Sequence, residues 1–199
     1  RGATGLNGKM VTDLHLLSNG GYATFLSAVG SGYSTWNDLA LTRWNADPIE
    51  NNDGFFLYLR DRDSGEFWSL GQQPVLAPGA RRASRFGDGV AELRCEYAGI
   101  EAEMRIVVPT AADVELRRVT LRNASDRPRR IEWTSYAEVV LNARAADAAH
   151  PAFSKLFVQT EWVVEQRALL ARRRPRAAGE PVCWLVHALV GDEEAEPPQ

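Results

Sequence analysis

Between residues 90 and 97, apolar and polar side chains alternate one by one. Ala91, Leu93, Cys95 and Tyr97 fall on one side, and Glu92, Arg94 and Glu96 on the other. After Ala98 and Gly99, Ala102, Met104, Ile106 and Val108 alternate with Glu101, Glu103, Arg105 and Val107. A period of two puts every second side chain on one face of an extended backbone, so both segments predict strands with a single buried face. Residues 109–113 carry a turn signal. The following strand starts with Val114 and Leu116 inward and changes phase to Val119 and Leu121, which predicts a β-bulge at Arg117–Arg118. A second turn holds Ser125, Asp126 and Pro128. Beyond it Ile131, Trp133, Ser135, Ala137, Val139 and Leu141 resume the alternation. Four long strands joined by short turns predict an antiparallel meander.

The first third is strand-like and richer in turns. Residues 15–18 run into Asn19-Gly20, a strong hairpin dipeptide, and 22–27 return. Gly30-Ser31-Gly32 turns again, 39–44 and 55–60 read as strands, and a tight turn at 61–65 precedes 66–69. Residues 74–83 read as an irregular loop. The Ala-rich stretch 142–154 has no clean period; a helical turn is open there, with Pro151 arguing for a loop at its end. Segments 157–164, 168–173 and 184–190 complete the strands. No segment makes an amphipathic helix of ten or more residues. The expected fold is therefore all-β, a large antiparallel β-sandwich with few or no helices. Residues 1–9 read as disordered or linker, 10–190 as the sandwich, and 191–199 as an acidic, Pro-ended tail or linker.

Charge and composition narrow the function. The 199 residues carry Lys+Arg 23 against Asp+Glu 26, a net charge of -3. Nucleic-acid binders show a basic excess, which is missing here. No apolar run approaches the ~18 residues of a membrane helix, and no signal peptide is visible. The expectation is a cytoplasmic chain without nucleic-acid or membrane contact, any membrane anchor of a parent protein lying elsewhere. Cys95 and Cys183 read as buried thiols, and His15, His150 and His187 are too scattered for a zinc site. No phosphate loop, dinucleotide fingerprint or nucleophile elbow occurs, so no catalytic residue, metal or cofactor is expected. The aromatics are more informative. Trp36-Asn37-Asp38 and Thr42-Arg43-Trp44, with Tyr33, combine rings that stack on sugar C–H faces with polar groups that meet hydroxyls. Filling the space between sheets is the alternative role for the same rings.

Several blocks, taken in order, resemble a known family. They are residues 15–22, His-Leu-Leu-Ser-Asn-Gly-Gly-Tyr, then Gly30-Ser31-Gly32-Tyr33-Ser34 and Asp38-Leu39-Ala40-Leu41-Thr42-Arg43-Trp44. Residues 55–60, Gly65-Glu66-Phe67-Trp68-Ser69, Thr134-Ser135-Tyr136-Ala137-Glu138-Val139 and residues 150–158 continue the likeness. It is to the N-terminal β-domain of the cellobiose and chitobiose phosphorylases and cyclic β-1,2-glucan synthases, glycoside hydrolase family 94, and it covers roughly residues 10–190. The resemblance implies a super-sandwich of the galactose-mutarotase type, here short of its usual C-terminal strands. It implies as partners a β-glucan or other saccharide and the (α/α) barrel catalytic domain of a parent protein. The general acid and the phosphate-binding residues belong to that barrel, so inorganic phosphate is expected only with it.

The resemblance also implies a possible homodimer in which a β-domain loop, here 148–156, helps shape the acceptor-sugar site. His150, Ser154 and Lys155 would then donate hydrogen bonds and Phe153 would stack. The simpler reading is that Pro151 and Phe153 pin a crossover and Lys155 is solvated. Two other classes compete. One is a free-standing carbohydrate-binding module, which requires an exposed aromatic platform. The other is a mutarotase-like epimerase, which requires a placed His and Glu pair.

Overall fold

The computed structural model describes residues 14–44, 53–175, 179–180 and 182–191. The expected linker at 1–9 and the tail beyond residue 191 lie outside them. In chain order the strands are β1 (Leu14–Ser18), β2 (Tyr22–Ser27), β3 (Gly32–Trp36), β4 (Leu39–Thr42), β5 (Phe55–Asp61), β6 (Phe67–Ser69), β7 (Arg81–Gly87), β8 (Val90–Tyr97) and β9 (Ile100–Val107). β10 (Leu116–Asn123), β11 (Ile131–Ala137) and β12 (Val139–Ala143) follow, then two short helices, α1 (Arg144–Ala149) and α2 (Pro151–Lys155). β13 (Val158–Val163), β14 (Ala168–Arg173) and β15 (Trp184–Ala188) close the order.

All strand pairs are antiparallel. They form four sheets: β1-β2-β3-β4-β12, β10-β9-β8-β7, β11-β5-β6 and β13-β14-β15. The first three enclose the main core, where Leu17 and Leu26 meet Leu57, Leu59 and Trp68 from β5 and β6 and Leu93, Cys95, Met104 and Ile106 from β8 and β9. These are the inward positions of the alternation read from the sequence. Full burial of a Leu or Ile such as Leu59 or Ile106 contributes about 1.5–3 kcal/mol. A smaller core joins Tyr22, Leu41 and Leu141 to Ala171, packed against Leu185, and ties the five-stranded sheet to β13-β14-β15.

The β8–β9 hairpin matches its expected bounds and faces. Four other expectations need correction. The bulge at Arg117–Arg118 is absent, because β10 pairs β9 without interruption from Leu116 to Asn123. Arg117 itself takes the inward phase. Its guanidinium pairs with Glu115, lies 4.2 Å over the Phe55 ring and donates to the Phe55 carbonyl at 3.2 Å. Glu115 also accepts from Ser34 Oγ at 2.8 Å and Tyr22 OH at 3.2 Å. Burial works against the Glu115 charge, but the Arg117 charge and hydrogen bonds from Ser34, Arg117 and Thr24 outweigh it and hold the carboxyl below its usual range. The apolar phase thus breaks because a buried ion pair occupies a core position.

Secondly, the meander is β7-β8-β9-β10. The expected fourth strand leaves it to pair with β5 as β11 and then with β4 as β12. Thirdly, β3 and β7 are strands where only a turn and a loop were expected. Finally, Pro151 opens a helix and does not close a loop; at N1 it lacks an N–H that would be unpaired anyway.

Candidate saccharide-contact segment

The crossover from β12 to β13 carries most of the sequence-predicted contact residues. β12 pairs β4 with a register shift between Val139 and Asn142, and Leu141 takes a positive φ of 51°. That kink buries Val140 and Leu141 together and aims the chain out of the sheet into α1 and α2. Helices of six and five residues are too short to persist alone, and neither has a side-chain N-cap. Tertiary contacts must hold them.

Arg43, just beyond β4, supplies the first. Its side chain is only 6% exposed. Nε donates to Asp147 Oδ2 at 3.1 Å and Nη2 to Asp147 Oδ1 at 3.0 Å, a two-pronged pair into α1. Nη2 also donates to the Pro151 carbonyl at 3.3 Å, and Nη1 to Glu138 Oε2 at 2.9 Å. Burial opposes the Arg43 charge; the Asp147 hydrogen bond and the charges of Glu138 and Asp147 outweigh it, so its pKa is raised. The other oxygen of Glu138 accepts from Lys155 Nζ at 2.6 Å. One carboxylate therefore clasps the cation under α1 and the cation at the end of α2.

Arg173 of β14 holds the far side. Nη1 donates to the Ser154 carbonyl at 3.1 Å and to Ser154 Oγ at 3.2 Å. Its guanidinium lies 5.0 Å over the Phe157 ring, and Phe157 meets Phe153 edge-on at 5.1 Å. With these anchors in place, Phe153 remains 54% exposed. His150 is exposed beside it, and the Lys155 side chain is half exposed.

Some of the candidate residues are brought together and others are not. His150, Phe153 and Lys155 are each exposed on the crossover, Phe153 against Phe157 and Lys155 against Glu138. Ser154 is buried with its hydroxyl engaged by Arg173, and Arg43 lies beneath the crossover as an anchor. Tyr33 stacks on Phe25 at 4.5 Å and meets Trp44 at 5.2 Å, while the Arg144 guanidinium at the start of α1 lies 5.3 Å over its ring. Trp36 is three residues along β3 and so on the opposite face. Its indole N–H donates to Asp113 Oδ2 at 2.6 Å and pins the turn before β10. Asp147, Glu138, Arg144, Arg173 and Phe157 were missed by the sequence reading. Asp147 had a signal, as the one acid within an Ala-rich run that follows an Arg; Arg173 had none, since only the sheet pairing brings it across.

The segment exposes a ring, an imidazole and an ammonium already paired with Glu138: stacking area plus hydrogen-bonding groups. Among the described residues no group of three or more His, Cys, Asp or Glu side chains is placed to hold a metal ion.

Comparison with known proteins bears on the family of the chain. The family model for the glycosyl hydrolase 94 supersandwich domain matches residues 8–197. The cyclic beta-(1,2)-glucan synthase NdvB of Rhizobium meliloti (strain 1021) is 40% identical over 181 residues, 91% of this chain and 6% of that protein. N,N'-diacetylchitobiose phosphorylase of Vibrio furnissii is 30% identical over 146 residues, 71% of this chain and 18% of the enzyme. Solabiose phosphorylase of Paenibacillus borealis is 32% identical over 130 residues, 65% of this chain and 16% of the enzyme. The chain thus matches less than a fifth of the length of each of these relatives. This match over nearly its whole length places the chain in the glycosyl hydrolase 94 supersandwich domain family.

Proposed function

We propose that this domain acts, without catalytic groups of its own, in a β-glucan phosphorylase or cyclic β-1,2-glucan synthase type of glycosyltransferase. Its role there is to present the segment 148–156 to the acceptor sugar, with an (α/α) barrel domain supplying the chemistry and phosphate. The observation that carries this reading is the anchoring of α1 and α2. Arg43 and Arg173 grip the segment from two sheets, through Asp147 and Ser154. A surface loop with no task beyond linking two strands needs no such fixation, whereas a contact that orients a substrate does. Phe153 then stacks on a sugar face, and His150 and Lys155 reach its hydroxyls.

The relatives' names concern β-linked glucan and disaccharides, which fits a saccharide as the ligand. Incubating the purified chain with β-1,2-gluco-oligosaccharides and inorganic phosphate tests the non-catalytic assignment. No sugar phosphate above background is expected. Sustained turnover would place the reacting groups in this chain and end the reading.

A further inference from the structure

A second surface, remote in sequence from the 148–156 segment, has the makings of a ligand site. In β6, β5 and β11, Tyr58 pairs with Thr134 and Ser69, Arg60 with Glu132 and Phe67, and Phe56 with Tyr136. Directly paired residues share a face. Leu57, Leu59, Trp68 and Trp133 therefore stand on the other face, where they enter or pack on the main core. On the outward face Phe56 is buried and Tyr58 half-buried, while Phe67 and Tyr136 are each 48% exposed. Tyr58 lies between them, 5.3 Å from Phe67 with the planes 23° apart, and 6.5 Å from Tyr136.

Tyr58, Arg60, Gly65, Phe67, Glu132 and Thr134 line an open depression of about 340 Å³. At Gly65 nothing lies within 4 Å of where a Cβ would be, so the rim is unobstructed there. Among the described residues the Arg60 guanidinium has no hydrogen-bond or ion-pair partner, and Glu132 meets Arg62 only at 3.9 Å.

We propose that this face is a saccharide-binding platform for a β-linked oligosaccharide, separate from the 148–156 segment. Exposed apolar patches of this kind mark binding surfaces, and the choice of occupant follows from the polar groups that line the depression beside the rings. The buried centre of a protein–protein interface is depleted in charged side chains. Here Arg60 and Glu132 are cross-strand neighbours, level with Phe67, and both line the depression itself. Their opposite charges leave it no net charge, which suits a neutral polyol better than an acidic or basic partner. A pyranose offers C–H faces to rings and hydroxyls to a planar guanidinium, a carboxylate and a threonine hydroxyl. Tyr58, Phe67 and Tyr136 supply the first kind of contact; Arg60, Glu132 and Thr134 supply the second.

The test is calorimetric titration of the chain with a β-1,2-gluco-oligosaccharide and with cellotetraose, using maltotetraose for comparison. The Phe67→Ala/Tyr136→Ala double variant is expected to weaken β-glucan binding about tenfold or more, and Arg60→Ala about fivefold. Arg122→Ala, an exposed residue of β10 outside both sites, is expected to leave it within about twofold. Arg60 is exposed, so its variant reads the site even if the double variant fails to fold. Absence of binding by the wild-type chain at millimolar saccharide would overturn the proposal. So would binding lost in Phe153→Ala and kept in the platform variants, or a concentration-dependent self-association abolished by Phe67→Ala. Because the Phe153 variant is scored separately, the platform and the 148–156 segment stand or fall independently.

Discussion

At the scale of single residues, two buried carboxylates control how firmly the structure is held. Asp147 is buried in α1 and its charge is met by Arg43. Removing one member of such a pair leaves the other charged and dry, which costs about 3–5 kcal/mol, far more than the net worth of the pair itself. Arg43→Ala is therefore expected to lower unfolding free energy by about that much in urea denaturation. Arg43→Lys is expected to rescue only part of the loss, because an ammonium cannot reproduce the two-pronged contact. A loss below about 1 kcal/mol for Arg43→Ala would mean that the pair is not buried in solution.

Asp61 makes a pH prediction. Its carboxylate accepts the Asp63 backbone N–H at 2.8 Å and Arg129 Nε at 3.1 Å. The Asp63 hydrogen bond first, then those from Arg129 and Ser64 with the Arg129 charge, outweigh burial and bring its pKa down to about 2. An unfolded Asp titrates near ~3.9. Since the folded value is the lower one, the stabilisation is complete above about pH 4 and fades as pH falls toward about 2. Thermal midpoints of the wild type are expected to fall more steeply through that window than those of Asp61→Asn. Parallel slopes would contradict the assignment.

At the scale of elements, legibility followed the physics of each strand. The β8–β9 hairpin was plain because its inward side chains are Ala, Leu, Cys, Met and Ile and its outward ones are charged. β3 and β7 escaped notice because their pairing is a backbone matter. β3 puts Ser34 inward, where its N–H donates to Thr42 Oγ1 at 2.9 Å. β7 is a polar edge strand, with Arg81 bonded to Glu96 across the pair. Gly32 reads as a turn residue by composition, yet the structure requires it for close approach: a Cβ there would meet the Phe25 carbonyl oxygen at 1.9 Å. Gly32→Ala is expected to push β3 away from β2 and destabilise the domain by about 3 kcal/mol, read as a lower denaturation midpoint. An unchanged midpoint would show that the β2–β3 hairpin is looser than described. The inward turn of Arg117 could not be read locally, since its partners Phe55 and Glu115 include one sixty-two residues away.

At the scale of the whole molecule, the all-β sandwich and its family were readable from the alternation and from ordered sequence blocks together. The candidate segment was readable only in part. His150, Phe153 and Lys155 are exposed, while Ser154 and Arg43 are buried beneath the crossover, and Trp36 belongs to another corner. The reason is that exposure depends on which partner a long polar side chain finds, and Asp147, Glu138 and Arg173 arrive from three different elements. The aromatic face of β5, β6 and β11, proposed above as a saccharide platform, was not legible in the sequence because only strand pairing brings Tyr58, Phe67 and Tyr136 together.

The central claim is that the anchored crossover touches the acceptor sugar. Its most direct test is acceptor kinetics with the proposed (α/α) barrel domain present, wild type against Phe153→Ala. A stacking contact made equally in the ground and transition states should raise the acceptor KM about tenfold with little change in kcat. An acceptor KM and kcat both unchanged by the substitution would contradict the account.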